Sequence, residues 1–269
     1  MPGLRLPDYH THTERCGHAR GRAEDYVAAA RARGLSAVGI ADHLPLAHDP
    51  DPDPTLAMPL AELDAYLAEV DALKAEHPGF VLIGVEADYL PASLEVTAEL
   101  LGRLPLDYVI GSVHFLDGWG FDDPRYVEEY ERRSMDEVYR QYLRLVGDAA
   151  ETGLFDIIGH LDLVKKFGHR ASADMTSEWE ELAARLKRAG VTVELNTAGL
   201  RKPVGELYPA PDVLQILGRF GVPLTFGSDA HCPEAVGRDF DQAVAAARTA
   251  GYRTYVEIGP EGFSEHPLP

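Results

Sequence analysis

Seven of the eleven histidines, His10, His12, His18, His43, His114, His160 and His231, stand at or just beyond the ends of short apolar runs. Glu86 and Asp229 are placed in the same way, whereas His48, His77, His169 and His266 fall in polar stretches. A lone His-x-His pair such as His10-Thr11-His12 is a weak signal, although residues two apart on a strand face one side and can present both imidazoles to one ion. Nine imidazole and carboxylate groups meeting at one place are a stronger one, because buried charge has to be paired or coordinated. Imidazole with carboxylate suits zinc, iron or manganese, and two cysteines, Cys16 and Cys232, are too few for a Cys-rich structural site. Nine ligands exceed the need of one ion, so two or three divalent ions are expected, with a carboxylate such as Glu86 bridging two of them. Closely spaced ions suit in-line displacement at phosphorus, since they activate water and clamp the attacked group.

Positioning such a set takes a particular scaffold. Apolar runs recur at βα spacing: Leu4 to Tyr9, Ala37 to Ile40, Phe80 to Val85, Tyr108 to Val113, Phe155 to Gly159, Val191 to Leu195 and Pro223 to Phe226. Stretches with apolar residues three and four apart, near 22–33, 59–76, 92–102, 134–152, 175–189, 211–219 and 234–249, alternate with them. The pattern is α/β, a parallel sheet covered by helices and joined by right-handed crossovers. Closure into a barrel is expected, because residues past the C-terminal ends of all barrel strands converge on one mouth, while an open sheet gathers only those beside a switch point. Tyr252 to Ile258 is a candidate eighth strand. Nothing resembling a linker or repeat divides the chain, so residues 1–269 are read as one domain. Long loops at Leu44 to Met58 and Phe115 to Arg133 follow ligand-bearing strands and are expected to cover the mouth.

His10-Thr11-His12, His18, Ala41-Asp42-His43, Glu86, His114, His160 and Gly227-Ser228-Asp229-Ala230-His231 resemble the four motifs of the PHP (polymerase and histidinol phosphatase) superfamily across essentially the whole chain. Gly111 to Phe115, Leu163 to Phe167 and Glu194 to Pro203 place the resemblance nearest the monofunctional histidinol-phosphate phosphatases. The resemblance implies a distorted (β/α)7 barrel, the PHP fold, with a trinuclear metal site at its C-terminal mouth. It implies His10, His12, Glu86 and Asp229 on the first ion, Glu86, His114 and His160 on the second, and His18, His43 and His231 on the third. The implied activity is hydrolysis of L-histidinol phosphate in histidine biosynthesis, by direct attack of a metal-bridging hydroxide. PHP-type action on nucleotides or nucleic-acid 3′ ends, and a non-catalytic metal-binding module, are the alternatives.

A formal net charge of -19 argues against a general nucleic-acid or anionic-membrane partner and requires local positive charge for a small phosphorylated substrate. The expected phosphate clamp is Arg201, whose guanidinium offers two parallel donors, with Lys165 a second cation. Both are also carried as candidate catalytic residues. Asn196 and Ser112, at strand ends, are candidate substrate contacts, and Asp42, beside His43, is a candidate acid or an orienter of a ligand. No leader or membrane span is apparent, and the two cysteines suit a cytoplasmic protein. Nothing in the sequence indicates an oligomeric state.

Overall fold

The computed structural model describes residues 5–46, 56–259 and 262–269. Leu4, at the head of the first apolar run, and His48, with most of the 44–58 loop, lie outside them. The chain runs β1 (Pro7–Asp8), α1 (Ala23–Arg33), β2 (Ala37–Ile40), α2 (Leu63–Glu76), β3 (Val81–Asp88), α3 (Leu94–Leu101), β4 (Tyr108–Ser112), β5 (Phe115–Leu116), β6 (Trp119–Gly120) and α4 (Met135–Glu151). It continues through β7 (Ile157–Ile158), α5 (Thr176–Ala189), β8 (Thr192–Asn196), α6 (Pro211–Phe220), β9 (Leu224–Gly227), α7 (Phe240–Thr249), β10 (Thr254–Gly259) and β11 (Gly262–Pro267).

Seven strands form one sheet in the order β1-β2-β3-β4-β7-β8-β9, with every pair parallel. Its two edges meet. Tyr9 N donates to Phe226 O at 3.3 Å, His12 N to Ala230 O at 2.8 Å, and Thr11 bridges Ala230 in parallel sense, giving a nearly closed barrel. The helices cover it through stripes at helical spacing, as in α4, which buries Val138, Tyr139, Tyr142, Leu143, Val146, Ala149 and Ala150. No helix among the described residues is long and apolar enough to cross a membrane.

Strand periodicity divides the barrel interior into two levels. Along β3, Leu82, Gly84, Glu86 and Asp88 share one face, and from β4 onward Tyr108, Ile110, Ser112 and His114 do likewise. The early members are apolar: Tyr9, Ala37, Ala41, Leu82, Tyr108, Ile110, Ile157 and Ile258 form a buried cluster separate from the larger one beneath the helices. The later members are the chemistry-bearing residues. Tyr108 donates to Tyr9 O at 2.6 Å, and its ring lies so close to β2 that a Cβ on Gly39 would come within 1.9 Å of the phenol oxygen. Gly39→Ala is therefore expected to lower the stability measured by urea unfolding by about 2–3 kcal/mol, the usual cost of overpacking a filled core. An unchanged midpoint would show that Tyr108 can move aside.

Two expectations change. The run from Tyr252 does form a strand, but β10 pairs antiparallel with β11, from Thr254↔Pro267 to Gly259↔Gly262, and not with the barrel sheet. With β9 already joined to β1, the barrel has no edge to offer it. Ile258 instead plugs the barrel floor, its N–H donating to Tyr9 Oη at 2.8 Å. The stretch read as a helix over 234–249 opens with a single 3-10 turn at Pro233–Ala235 and becomes α-helical only at Phe240, after the left-handed Gly237 (φ 60°) and Asp239 (φ 63°).

Candidate metal centre and active site

Barrel closure brings all nine proposed ligands to one mouth. Glu86, near the end of β3, is the hub: its Oε2 lies 3.2 Å from His10 Nε2, 3.4 Å from His12 Nε2 and 3.1 Å from His43 Nδ1. Its Oε1 lies 2.9 Å from His160 Nε2 and 3.6 Å from His114 Nε2. Asp229, just past β9, places Oδ1 3.4 Å from His12 Nε2 and 3.8 Å from His10 Nε2. His18 Nε2 approaches His231 Nε2 to 3.1 Å.

These side chains fit divalent cations better than they fit one another. His10 Nε2 and His12 Nε2 are buried without a hydrogen-bond partner among the described residues, a cost that coordination would remove. Ligand atoms of His10, His12 and Glu86 lie within 4.8 Å of one another, as do those of His43, Glu86 and His114, and of His12, His43 and His231. Outer acceptors hold several imidazoles by Nδ1, leaving Nε2 turned inward. Glu194 Oε1 takes His10 Nδ1 at 2.8 Å, Asp88 Oδ1 takes His114 Nδ1 at 2.8 Å, and the carbonyls of Cys16 and Asp229 take His18 and His231 at 3.0 and 3.1 Å.

The same contacts shape the electrostatics. Burial opposes charge on His114, but Asp88 and then Glu86 outweigh it and lift its pKa to about 10. Burial, with repulsion from His12, pushes His231 down to about 3, and burial holds His43 well below the usual histidine range. Burial would raise Glu86 and Asp229, yet the surrounding histidines, His43 and His10 for the first and His10 and His12 for the second, keep both carboxylates well below their ordinary range. Both therefore stay anionic at neutral pH, as metal ligands must.

The cluster forms the floor of a cavity of about 450 Å³. One wall carries Lys166 and Lys202. The Lys166 ammonium pairs with Asp122 at 2.9 Å, while that of Lys202 has no hydrogen-bond or ion-pair partner among the described residues. Burial pulls Lys202 below the ordinary lysine range against the attraction of Asp229. Phe115, Gly120 and residues 122–125 also line the cavity. The 115–133 segment is thus not structureless: it folds as the β5–β6 hairpin and a 3-10 segment, Pro124–Arg132, tied together by Trp119 against Tyr130 at 4.7 Å. Leu46 and Leu56, which flank the undescribed part of the 44–58 loop, also line the cavity.

Residues 8–198 match the PHP domain family. The chain belongs to the PHP family. A "Probable histidinol-phosphatase" from Deinococcus radiodurans is 45% identical over 251 residues, 93% of this chain and 95% of that one. The "Histidinol-phosphatase" of Bacillus subtilis is 31% identical over 258 residues, 87% of this chain and 96% of its own. The crystal structure of a histidinol phosphate phosphatase from Lactococcus lactis, complexed with zinc, L-histidinol and phosphate, superposes with a TM-score of 0.81 at 23% identity, covering 97% of this chain and all of that one. That superposition shows the fold.

In this PHP protein the remaining expected site residues support the mouth and do not line the cavity. Asp42 accepts from Thr13 N and Thr13 Oγ1, both at 2.6 Å, and from Cys16 Sγ at 3.0 Å, so it braces the turn between His12 and His18. Arg201 donates to Thr197 O at 3.1 Å and Ser228 O at 2.8 Å and pairs with Asp239 at 3.3 Å. Lys165 is fully buried, on Leu207 O at 2.6 Å, Asp162 at 2.9 Å and Glu206 at 3.2 Å. Each ends a one-turn 3-10 helix, and in each case the next residue, Lys202 or Lys166, is the one on the cavity wall. Asn196 bonds Glu194 Oε2 and Ala198 N, and Ser112 is buried beneath Gly159.

Glu194 and Asp88 were missed, though both left a trace: one is a carboxylate inside an apolar run, and the other lies two residues after Glu86 on the same strand face. Glu194 also accepts from His160 N at 2.9 Å, so one carboxylate braces ligands from two strands. A Cβ on Gly227 would lie 1.6 Å from its Oε1. Gly227→Ala is accordingly expected to displace Glu194 from His10 and to lower metal occupancy by roughly 10- to 100-fold in affinity, the usual range for an outer-shell partner, as read by metal titration. Asp8 is a further support. It fastens Ser228 through N and Oγ at 2.9 and 2.5 Å and Gly237 N at 2.7 Å, beside the left-handed Asp229 (φ 50°).

Proposed function

We propose that this protein is a metal-dependent phosphomonoesterase that hydrolyses L-histidinol phosphate to L-histidinol and phosphate. The observation that carries the reading is the nine-residue donor cluster at the floor of a cavity walled by two lysines, in a chain 45% identical over 93% of its length to a "Probable histidinol-phosphatase". The donor contacts support three divalent ions, zinc, iron or manganese. His10, His12, Glu86 and Asp229 would hold the first, Glu86, His114 and His160 the second, and His18, His43 and His231 the third. When bound, such ions supply positive charge to the phosphoryl oxygens and acidify water at the cavity floor.

The chain's own groups divide the remaining work. Lys202, unpaired among the described residues, and Lys166 would take phosphoryl oxygens through charge-assisted hydrogen bonds. Asp122, Asp123 and Phe115 also line the cavity; Asp122 sits 2.9 Å from Lys166 and Asp123 2.9 Å from Arg125 Nε, so cations and carboxylates lie side by side there, an arrangement that suits a substrate carrying a phosphate, an ammonium and an imidazole. Glu194 and Asp88 hold His10 and His114 in the orientation that keeps Nε2 inward. Ligands from before β2 to beyond β9 meet in one centre, which supports reading residues 1–269 as one functional unit. Two cysteines without a disulfide support a cytoplasmic location.

Turnover of histidinol phosphate compared with nucleotides and single-stranded DNA tests the substrate assignment. Preference for the amino-alcohol ester is expected, and preference for DNA would replace it with a nucleic-acid 3′-end activity. Chelation is expected to abolish turnover and added zinc, iron or manganese to restore it. Stoichiometric metal without turnover of any phosphoester would leave a non-catalytic metal-binding module.

A further inference from the structure

Tyr208 is fully buried, yet it forms part of the cavity wall, and its hydroxyl has no hydrogen-bond partner among the described residues. Buried hydroxyls are nearly always satisfied, and one left open at a cavity is poised for something that enters it. Tyr208 is the single hydroxyl-bearing side chain on this wall among the described residues. Its ring stands edge-on to His160, with centroids 6.4 Å apart.

The surrounding structure holds this residue with unusual thoroughness. Its backbone pairs with Asn196 in both directions, Asn196 N to Tyr208 O at 2.7 Å and Tyr208 N to Asn196 O at 3.0 Å. The preceding carbonyl, Leu207 O, accepts from the buried Lys165 ammonium at 2.6 Å. Ala210 N donates to Asp162, the carboxylate that pairs with Lys165. At Gly199 a Cβ would strike Glu206 O at 2.0 Å, so only glycine lets the 206–208 segment lie this close. Lys165, Asp162 and Asn196 thus act as positioning residues for the phenol.

In the phosphatase reading Lys166 and Lys202 would serve the phosphoryl oxygens, which leaves the ester oxygen without an assigned proton donor. An alkoxide leaving from a primary alcohol needs a proton, and a phenol is protonated at neutral pH. We propose that Tyr208 is the proton donor to the leaving group. As the oxygen of a water molecule bonds to phosphorus and gives a proton to solvent, the phosphorus–ester oxygen bond breaks and its electron pair passes to the ester oxygen, which takes the Tyr208 proton and departs as the alcohol; a proton from solvent then restores the phenol. The role rests on the phosphatase reading above.

Tyr208→Phe removes one oxygen and no hydrogen bond among the described residues, so its melting temperature is expected to match that of the parent. In the metal-loaded enzyme, kcat for histidinol phosphate is expected to fall about 100-fold, while kcat for p-nitrophenyl phosphate, whose leaving group departs without a proton, falls less than about 3-fold. Across substituted phenyl phosphates the variant should depend more steeply on leaving-group acidity, and the isotope effect at the bridging oxygen should rise. Equal losses on both esters, or no loss on the alkyl ester, would overturn the role of Tyr208 while leaving the phosphatase intact. A parent enzyme inert toward histidinol phosphate would overturn both.

Discussion

Glu86→Gln is expected to lower kcat by about 1000-fold or more and to empty much of the metal centre, while circular dichroism reports the parent fold. Both carboxylate oxygens are in use: one faces His10, His12 and His43, the other His114 and His160. The amide is nearly the same size, so packing is preserved. It nevertheless removes the negative charge that five imidazoles share and turns a donor NH2 toward nitrogens whose lone pairs should face a cation. Elemental analysis alongside kinetics checks the prediction. Full metal occupancy with near-parent turnover would mean that Glu86 is an ordinary buried acid and that the cluster does not depend on a bridging carboxylate.

Lys202→Met is expected to reduce kcat/KM for the phosphate ester about 30- to 100-fold, the value of a charge-assisted hydrogen bond of roughly 2–3 kcal/mol. Inhibition by inorganic phosphate should weaken in parallel. The fold should not suffer. Among the described residues Lys202 makes no ion pair to lose, and burial already disfavours its charge, so the melting temperature is expected to hold or rise. This combination separates a ligand-binding cation from a structural one: removing Lys165, locked onto Asp162 and Leu207 O, would strand a buried carboxylate and cost stability first. Unchanged phosphate inhibition in Lys202→Met would remove that residue from the anion site.

The neighbouring pairs Lys165/Lys166 and Arg201/Lys202 show where reading along the chain stops being informative. Each lies where a one-turn 3-10 helix ends, and adjacent side chains there diverge in direction. Spacing alone identifies a basic residue near the mouth but not which of two consecutive ones faces it. For the strands the position is better. Period-two alternation puts Glu86 on the face of Leu82, and His114 on that of Tyr108, before any coordinates are known. Glu194 was legible by the same rule and was passed over because its run reads as apolar.

By itself the amino-acid sequence determined the βα alternation, the inward face of each strand, the nine donors at the strand ends and the chemistry that imidazole with carboxylate supports. These are local properties, governed by periodicities of two and 3.6 residues and by side-chain type. Only the tertiary structure decided that β9 meets β1 and carries Asp229 and His231 beside His10 and His12, that β10 plugs the floor without joining the barrel, and that Lys166, Lys202 and Tyr208 face the cavity. Those outcomes depend on barrel closure and on the directions of single side chains in short turns, which arise from contacts between residues as far apart in the chain as Asp8 and Ser228.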